Sequence, residues 1–132
     1  MLMINHIALF VRDFEPMLKF YEEVLGFKRH HSFSVDPKNI QELFGIESSA
    51  DAQVLEAGNI RIEFIKLSVL PEPANPKSIY GFHHIAIKVE NPEVIIGRAK
   101  KHGSQITQTF HKDHMVYFLK DPEENSIEIS IS

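Results

Sequence analysis

The 132-residue chain contains no cysteine. That excludes a disulfide framework, a thiolate nucleophile and a zinc–thiolate site, so any metal ion has to be held by imidazole and carboxylate groups. No apolar run approaches the length of a membrane span. The N-terminal stretch Met1-Leu2-Met3-Ile4-Asn5-His6 lacks the charged-then-apolar layout of a signal peptide. Basic residues are scattered rather than clustered, which argues against a nucleic-acid footprint. The expectation from these absences is a soluble, cytoplasmic protein with a small-molecule partner and neither a membrane nor a nucleic acid to bind. What remains is ordinary for a globular chain: 43% hydrophobic, 24% charged, with a net charge of −4. The length suits one domain, or two small modules sharing a core.

The most informative feature is an internal repeat. Asn5-His6-Ile7-Ala8-Leu9-Phe10-Val11 returns as His83-His84-Ile85-Ala86-Ile87-Lys88-Val89, with His84 aligned on His6. Around each copy the chain reads β-α-β-β-β. In the first half, alternation gives a strand over residues 3–11, with Ile7, Leu9 and Val11 on one face and His6, Ala8 and Phe10 on the other. Asp13 stands as a helix N-cap, Pro16 fits the first turn, and Gly26 is a C-terminal stop. Strands are predicted over 27–35, 52–57 and 60–67, the last two joined by a tight Gly58-Asn59 turn. Residues 36–50 read as a loop with one helical turn around Ile40, Leu43 and Phe44. Pro71, Pro73 and Pro76 mark an extended linker.

The second half runs through a strand over 83–89 and a helix opened by Asn91-Pro92 and closed near His102-Gly103. Strands follow over 104–110, 114–119 and 126–131. The expected organisation is one domain over residues 1–132: module 1 over 1–68, a linker over 69–80 and module 2 over 81–132. His6 to Glu63 spans 63 − 6 = 57 residues and His84 to Glu128 spans 128 − 84 = 44. The difference of 13 matches one insertion, within residues 36–50.

Each module thus offers a histidine on its first strand and a glutamate on its last, both opposite the aliphatic face that should pack on the helices. Carboxylates facing a cavity are costly without a partner. A divalent cation held by His6, Glu63, His84 and Glu128 removes that cost. A lone strand histidine is usually structural and a lone strand glutamate usually solvated, but four at equivalent positions of a repeat form a set. His83 is set aside by register, since only His84 aligns with His6. His30 and His31 are solvent-facing or line a cleft, His111 and His114 flank a hairpin turn at the surface, and Phe20-Tyr21 belongs to the core.

These residues resemble the vicinal oxygen chelate superfamily, which includes glyoxalase I, methylmalonyl-CoA epimerase, fosfomycin-resistance transferases, extradiol dioxygenases and bleomycin-resistance proteins. The likeness rests on His6-Ile7-Ala8-Leu9, on Phe20-Tyr21 with Val24-Leu25-Gly26-Phe27, on Gly81-Phe82-His83-His84-Ile85-Ala86, and on Asp121-Pro122 with Asn125 and Glu128. It implies an α+β fold of two βαβββ modules in a curved, cleft-bearing mixed sheet, and a homodimer. It also implies a divalent metal (Ni, Co, Zn or Mn) at His6, Glu63, His84 and Glu128.

That ligand set is similar to bacterial glyoxalase I, which implies a lyase/isomerase reaction through a metal-chelated enediolate, with Glu128 and Glu63 as catalytic carboxylates. An epimerase of the methylmalonyl-CoA type and a non-catalytic, bleomycin-resistance-like binding protein are the alternatives. Phe10 and Leu67 stand where glyoxalase I carries an arginine and an asparagine that serve glutathione, which speaks against a glutathione conjugate as substrate.

Overall fold

The structure is a computed structural model and describes residues 1–69, 80–111 and 113–132, the side chain of His111 excepted. The proline-rich linker and Lys112 lie outside the described residues. In chain order the elements are β1 (Ile7–Phe10), α1 (Phe14–Glu23), β2 (Lys28–Val35), α2 (Pro37–Phe44), β3 (Ala50–Ala57), β4 (Ile60–Leu67), β5 (His84–Val89), α3 (Pro92–Lys101), β6 (Ile106–His111), β7 (His114–Lys120) and β8 (Ser126–Ile131). They form two four-stranded mixed sheets, ordered β1-β4-β3-β2 and β5-β8-β7-β6. The α+β fold of two βαβββ modules is therefore present.

The repeat extends to sheet register. In the first sheet β1 runs parallel to β4 and pairs Ala8 with Glu63. In the second, β5 runs parallel to β8 and pairs Ala86 with Glu128. The remaining neighbours are antiparallel. Alternation decides what each face buries. Ile62 and Phe64 of β4, and Ile127 and Ile129 of β8, are fully buried on the faces opposite the two glutamates. Helix α3 packs on β6, β7 and β8, and buries Ile95, Ile96 and Ala99.

The contacts divide the chain into two compact units. One contains Met1–Leu18 and the residues from Gly26 to the end of β4, and the other contains Lys19–Leu25 and everything from β5 onward. Helix α1 is thus shared, Phe14–Leu18 belonging to the first unit and the rest to the second. Phe20 and Tyr21 are buried, as expected for core residues.

Two elements differ from the sequence expectation. Residues 37–44 form a helix of 8 residues, not a loop with a single turn. Asp36 caps it by accepting from the Asn39 N–H at 2.9 Å, Pro37 occupies the first turn, and Gly45 ends it in the left-handed region at φ 69°. Burial of Ile40 against Ala50, Ile65 and Leu67 then holds the helix on the sheet. Strand β1 starts at Ile7 rather than residue 3. Its partner β4 begins at Ile60, after the Gly58-Asn59 turn, and Ile7 pairs with Ile62, so little ladder is left for an earlier start. His6 therefore directly precedes the strand. The polar run Lys28-Arg29-His30-His31 lies on β2, an exposed edge strand with a register shift between Arg29 and His31, and such irregularities discourage edge pairing.

Candidate metal centre

In the first unit Glu63 sits on β4 between β1 and β3, paired with Ala8 and with Val54. Its side chain is 12% exposed, against 43% for that of His6. His6 lies two residues before Ala8, hence on the same face as Glu63, and Ala8 contributes only a methyl group between them. The imidazole crosses that gap and brings Nε2 to 2.9 Å from Glu63 Oε2. On the other side of the ring, Nδ1 lies 2.7 Å from Asn5 Oδ1. With the Nδ1 hydrogen donated to Asn5, a neutral ring turns the Nε2 lone pair toward the carboxylate. The ring tautomer decides whether Nε2 donates to the carboxylate or presents its lone pair beside it.

The second unit repeats the arrangement more openly. His84, two residues before Ala86, places Nε2 3.7 Å from Glu128 Oε2, with side chains 33% and 26% exposed. Phe118, paired with Glu128 across β7 and β8, meets the His84 ring edge-on with centroids 5.1 Å apart. His83 is also adjacent, its Nδ1 2.9 Å from that of His84.

Each unit therefore brings together its own histidine and glutamate, one imidazole nitrogen and one carboxylate. Such donors suit a borderline divalent cation. Among the described residues no group of three or more histidine, aspartate or glutamate side chains is close enough to hold a metal ion. The equivalence of Ala8 and Ala86, each opposite the glutamate, was not read from the sequence, although the shared His-Ile-Ala triplet carried the signal.

The other histidines are placed as follows. His30 and His31 lie on the exposed edge strand, with Nδ1 atoms 2.6 Å apart. His30 Nε2 lies 3.8 Å from Glu56, which also accepts from Arg61 Nε at 3.4 Å. His31 stacks on Phe33. His111 is the register partner of His114 where β6 meets β7, and His114 is exposed. His102 was not singled out from the sequence. It ends α3 and pairs with Glu23 at 2.8 Å, beside a cavity of about 500 Å³ lined by Phe20, Ser104, Lys120 and Asp121.

Among the described residues, the Tyr21 phenol beside Asp121 carries a pronounced electrostatic perturbation. Burial, reinforced by the charge of Asp121 and the hydrogen bond to it, holds the Tyr21 phenol well above its ordinary range. The Tyr21 hydroxyl donates to Asp121 Oδ2 at 2.9 Å. Asp121 Oδ1 accepts from the backbone N–H of Glu123 and of Asn125. The Asp121-Pro122 turn is thereby tied to α1.

Residues 3–129 match the profile of the Glyoxalase/Bleomycin resistance protein/Dioxygenase superfamily. The chain belongs to that superfamily. It is similar in structure to a glyoxalase family protein from Bacillus cereus, at TM-score 0.82 and 17% identity, over 98% of this chain and 93% of that one. It is also similar to a trypanothione-dependent glyoxalase I from Leishmania major, at TM-score 0.68 and 23% identity, over 96% and 84% of the two chains. A fosfomycin resistance protein from Mesorhizobium loti aligns at TM-score 0.66 and 17% identity, over 98% and 90%. At these identities the likeness establishes the fold. No curated protein matches by sequence. Among the described residues no helix is long and apolar enough to cross a membrane.

Proposed function

We propose that the protein is a metal-dependent lyase/isomerase of the glyoxalase I type, acting on a small molecule that carries two vicinal oxygens. His6, Glu63, His84 and Glu128 hold a divalent ion: Ni, Co, Zn or Mn. The observation that carries this reading is the equivalence of the two pairs. In both units the histidine lies two residues before an alanine that is in register with the glutamate.

The bound cation supplies electrostatic stabilisation for the oxygen charge that develops when a proton leaves the neighbouring carbon. The chain supplies the base. Glu128, whose side chain is more exposed than that of Glu63, takes the proton next to the carbonyl and returns it to the adjacent carbon. Glu63, buried beside His6, is the second catalytic carboxylate. The protein works in the cytoplasm as a homodimer, and each sheet has two edge strands that pairing between copies can cover.

Elemental analysis of protein purified without chelator, followed by Glu128→Gln, tests the proposal. The expected result is near-stoichiometric metal in both proteins, with turnover of a 2-oxoaldehyde adduct lost in the variant. Protein that holds no metal and takes up none of the four ions would instead be a binding protein of the bleomycin-resistance kind. A fully active variant would remove Glu128 from the mechanism.

A further inference from the structure

Register sets His83 outside the ligand set, yet it lies against a member of that set. Its Nδ1 is 2.9 Å from Nδ1 of His84, and the two rings stand at 87° with centroids 5.2 Å apart. Successive side chains of a regular strand point to opposite faces. His83 directly precedes β5, whose first residue is His84, so the pleat does not hold the two rings apart. The first unit has a like arrangement. Asn5 and His6 both precede β1, and Asn5 Oδ1 lies 2.7 Å from Nδ1 of His6. In each unit the residue immediately before the histidine therefore faces its Nδ1. Nε2 faces the glutamate, 2.9 Å from Glu63 in one unit and 3.7 Å from Glu128 in the other.

Two neutral imidazole nitrogens 2.9 Å apart share a single hydrogen, so one ring donates and the other accepts. If His83 donates, His84 keeps its own hydrogen on Nε2 and has no lone pair there for a cation. If His84 donates, its Nε2 lone pair is free on the side of Glu128. Only the second assignment serves a ligand, and it makes His83 the acceptor. The contact also selects the orientation of the ring. A half-turn of His84 would exchange Nδ1 with Cδ2 and Nε2 with Cε1, and both polar contacts would be lost together. Phe118, edge-on to the same ring, supplies packing but no lone pair.

Building on the metal reading above, we infer that His83 is a positioning residue. Its Nδ1 accepts the Nδ1 hydrogen of His84 and so keeps the His84 Nε2 lone pair available to the cation. It corresponds to Asn5 at His6, with an imidazole nitrogen in place of an amide oxygen. His83 is exposed, so water competes for the same hydrogen. The effect of its loss accordingly falls at the lower end of the range for such outer partners, about 10- to 100-fold in metal affinity.

Two substitutions separate hydrogen bonding from packing. His83→Phe keeps an aromatic ring and removes the acceptor, whereas His83→Asn supplies an amide oxygen like that of Asn5. Zn(II) affinity is measured by competition with a chromogenic chelator at one fixed pH. Long-range proton–nitrogen NMR of the metal-free protein reads the tautomer of His84, with His84→Gln assigning its signals and the backbone amides checking the fold. Wild-type His84 should carry its hydrogen on Nδ1. His83→Phe should weaken Zn(II) binding about tenfold and shift that hydrogen toward Nε2. His83→Asn should restore the tautomer, and the affinity to within about threefold of wild type. His30→Phe, which breaks a similar contact between neighbouring histidines on the edge strand, should change neither.

A wild-type protein that takes up no Zn(II), Ni, Co or Mn overturns the metal reading and this inference with it. Equal affinity in wild type and His83→Phe overturns the positioning role and leaves the metal reading intact. So does a wild-type His84 with its hydrogen on Nε2, which needs no variant to detect. A tenfold loss that His83→Asn fails to restore, or that leaves the tautomer unchanged, assigns His83 to packing and overturns the inference as well.

Discussion

Tyr21 donates a hydrogen bond of 2.9 Å to Asp121, a residue 100 positions further along the chain, and both are buried. Asp121 in turn accepts from the backbone of Glu123 and Asn125, so one carboxylate joins the end of α1 to the turn that leads into β8. Tyr21→Phe should cost about 1–3 kcal/mol, the cost of leaving a buried acceptor short of one partner. Urea unfolding with an unchanged m-value would measure it. Asp121→Ala, which also removes the acceptor for two backbone N–H groups, should cost more.

The same pair predicts alkaline behaviour. The folded state raises the Tyr21 phenol above its unfolded value. Its contribution to stability is therefore complete below about pH 10, the unfolded value, and is lost as pH climbs from there toward the raised folded value. Difference absorbance at 295 nm between wild type and Tyr21→Phe should show no ionisation of this tyrosine near pH 10 in native protein. The missing titration step should appear in urea.

Helix α2 should depend on its single buried residue and its cap. Ile40→Ala should destabilise by about 2–5 kcal/mol, and Asp36→Ala by about 0.5–2 kcal/mol. Thermal unfolding with far-ultraviolet circular dichroism would rank the two. Near-equal effects would mean that the cap, rather than burial of Ile40 against Ile65 and Leu67, holds the helix.

Asn5 faces the ring nitrogen of His6 that points away from Glu63. If Asn5 fixes the tautomer that leaves Nε2 available to a cation, Asn5→Ala should weaken metal affinity about 10- to 100-fold. Competition with a chromogenic chelator measures this directly. Restored affinity in Asn5→Asp would identify the acceptor oxygen as the operative group.

The strands and helices α1 and α3 were legible in the sequence because each rests on a short-range signal. Alternation fixes which side chains share a face, Pro92 and Gly26 punctuate helices, and the repeated His-Ile-Ala triplet sets one module against the other. Helix α2 was undercounted because its local pattern is only 8 residues long. Isolated helices of that length are marginal, and what decides this one is the burial of Ile40 on a sheet built from residues 50–67. Likewise β2 kept its polar run because an edge strand tolerates it.

Other features arose only in three dimensions. Alternation put Phe10 and Glu63 on the same kind of face, but only the parallel register of β1 with β4 set Ala8 beside Glu63 and Phe10 one row nearer α2. Nothing near Tyr21 in the sequence indicates Asp121 as its partner. Sequence patterns are short-ranged, fixed by the geometry of a strand or a helical turn. Strand pairing and burial depend on which distant segments meet, and that is decided by the folded chain as a whole.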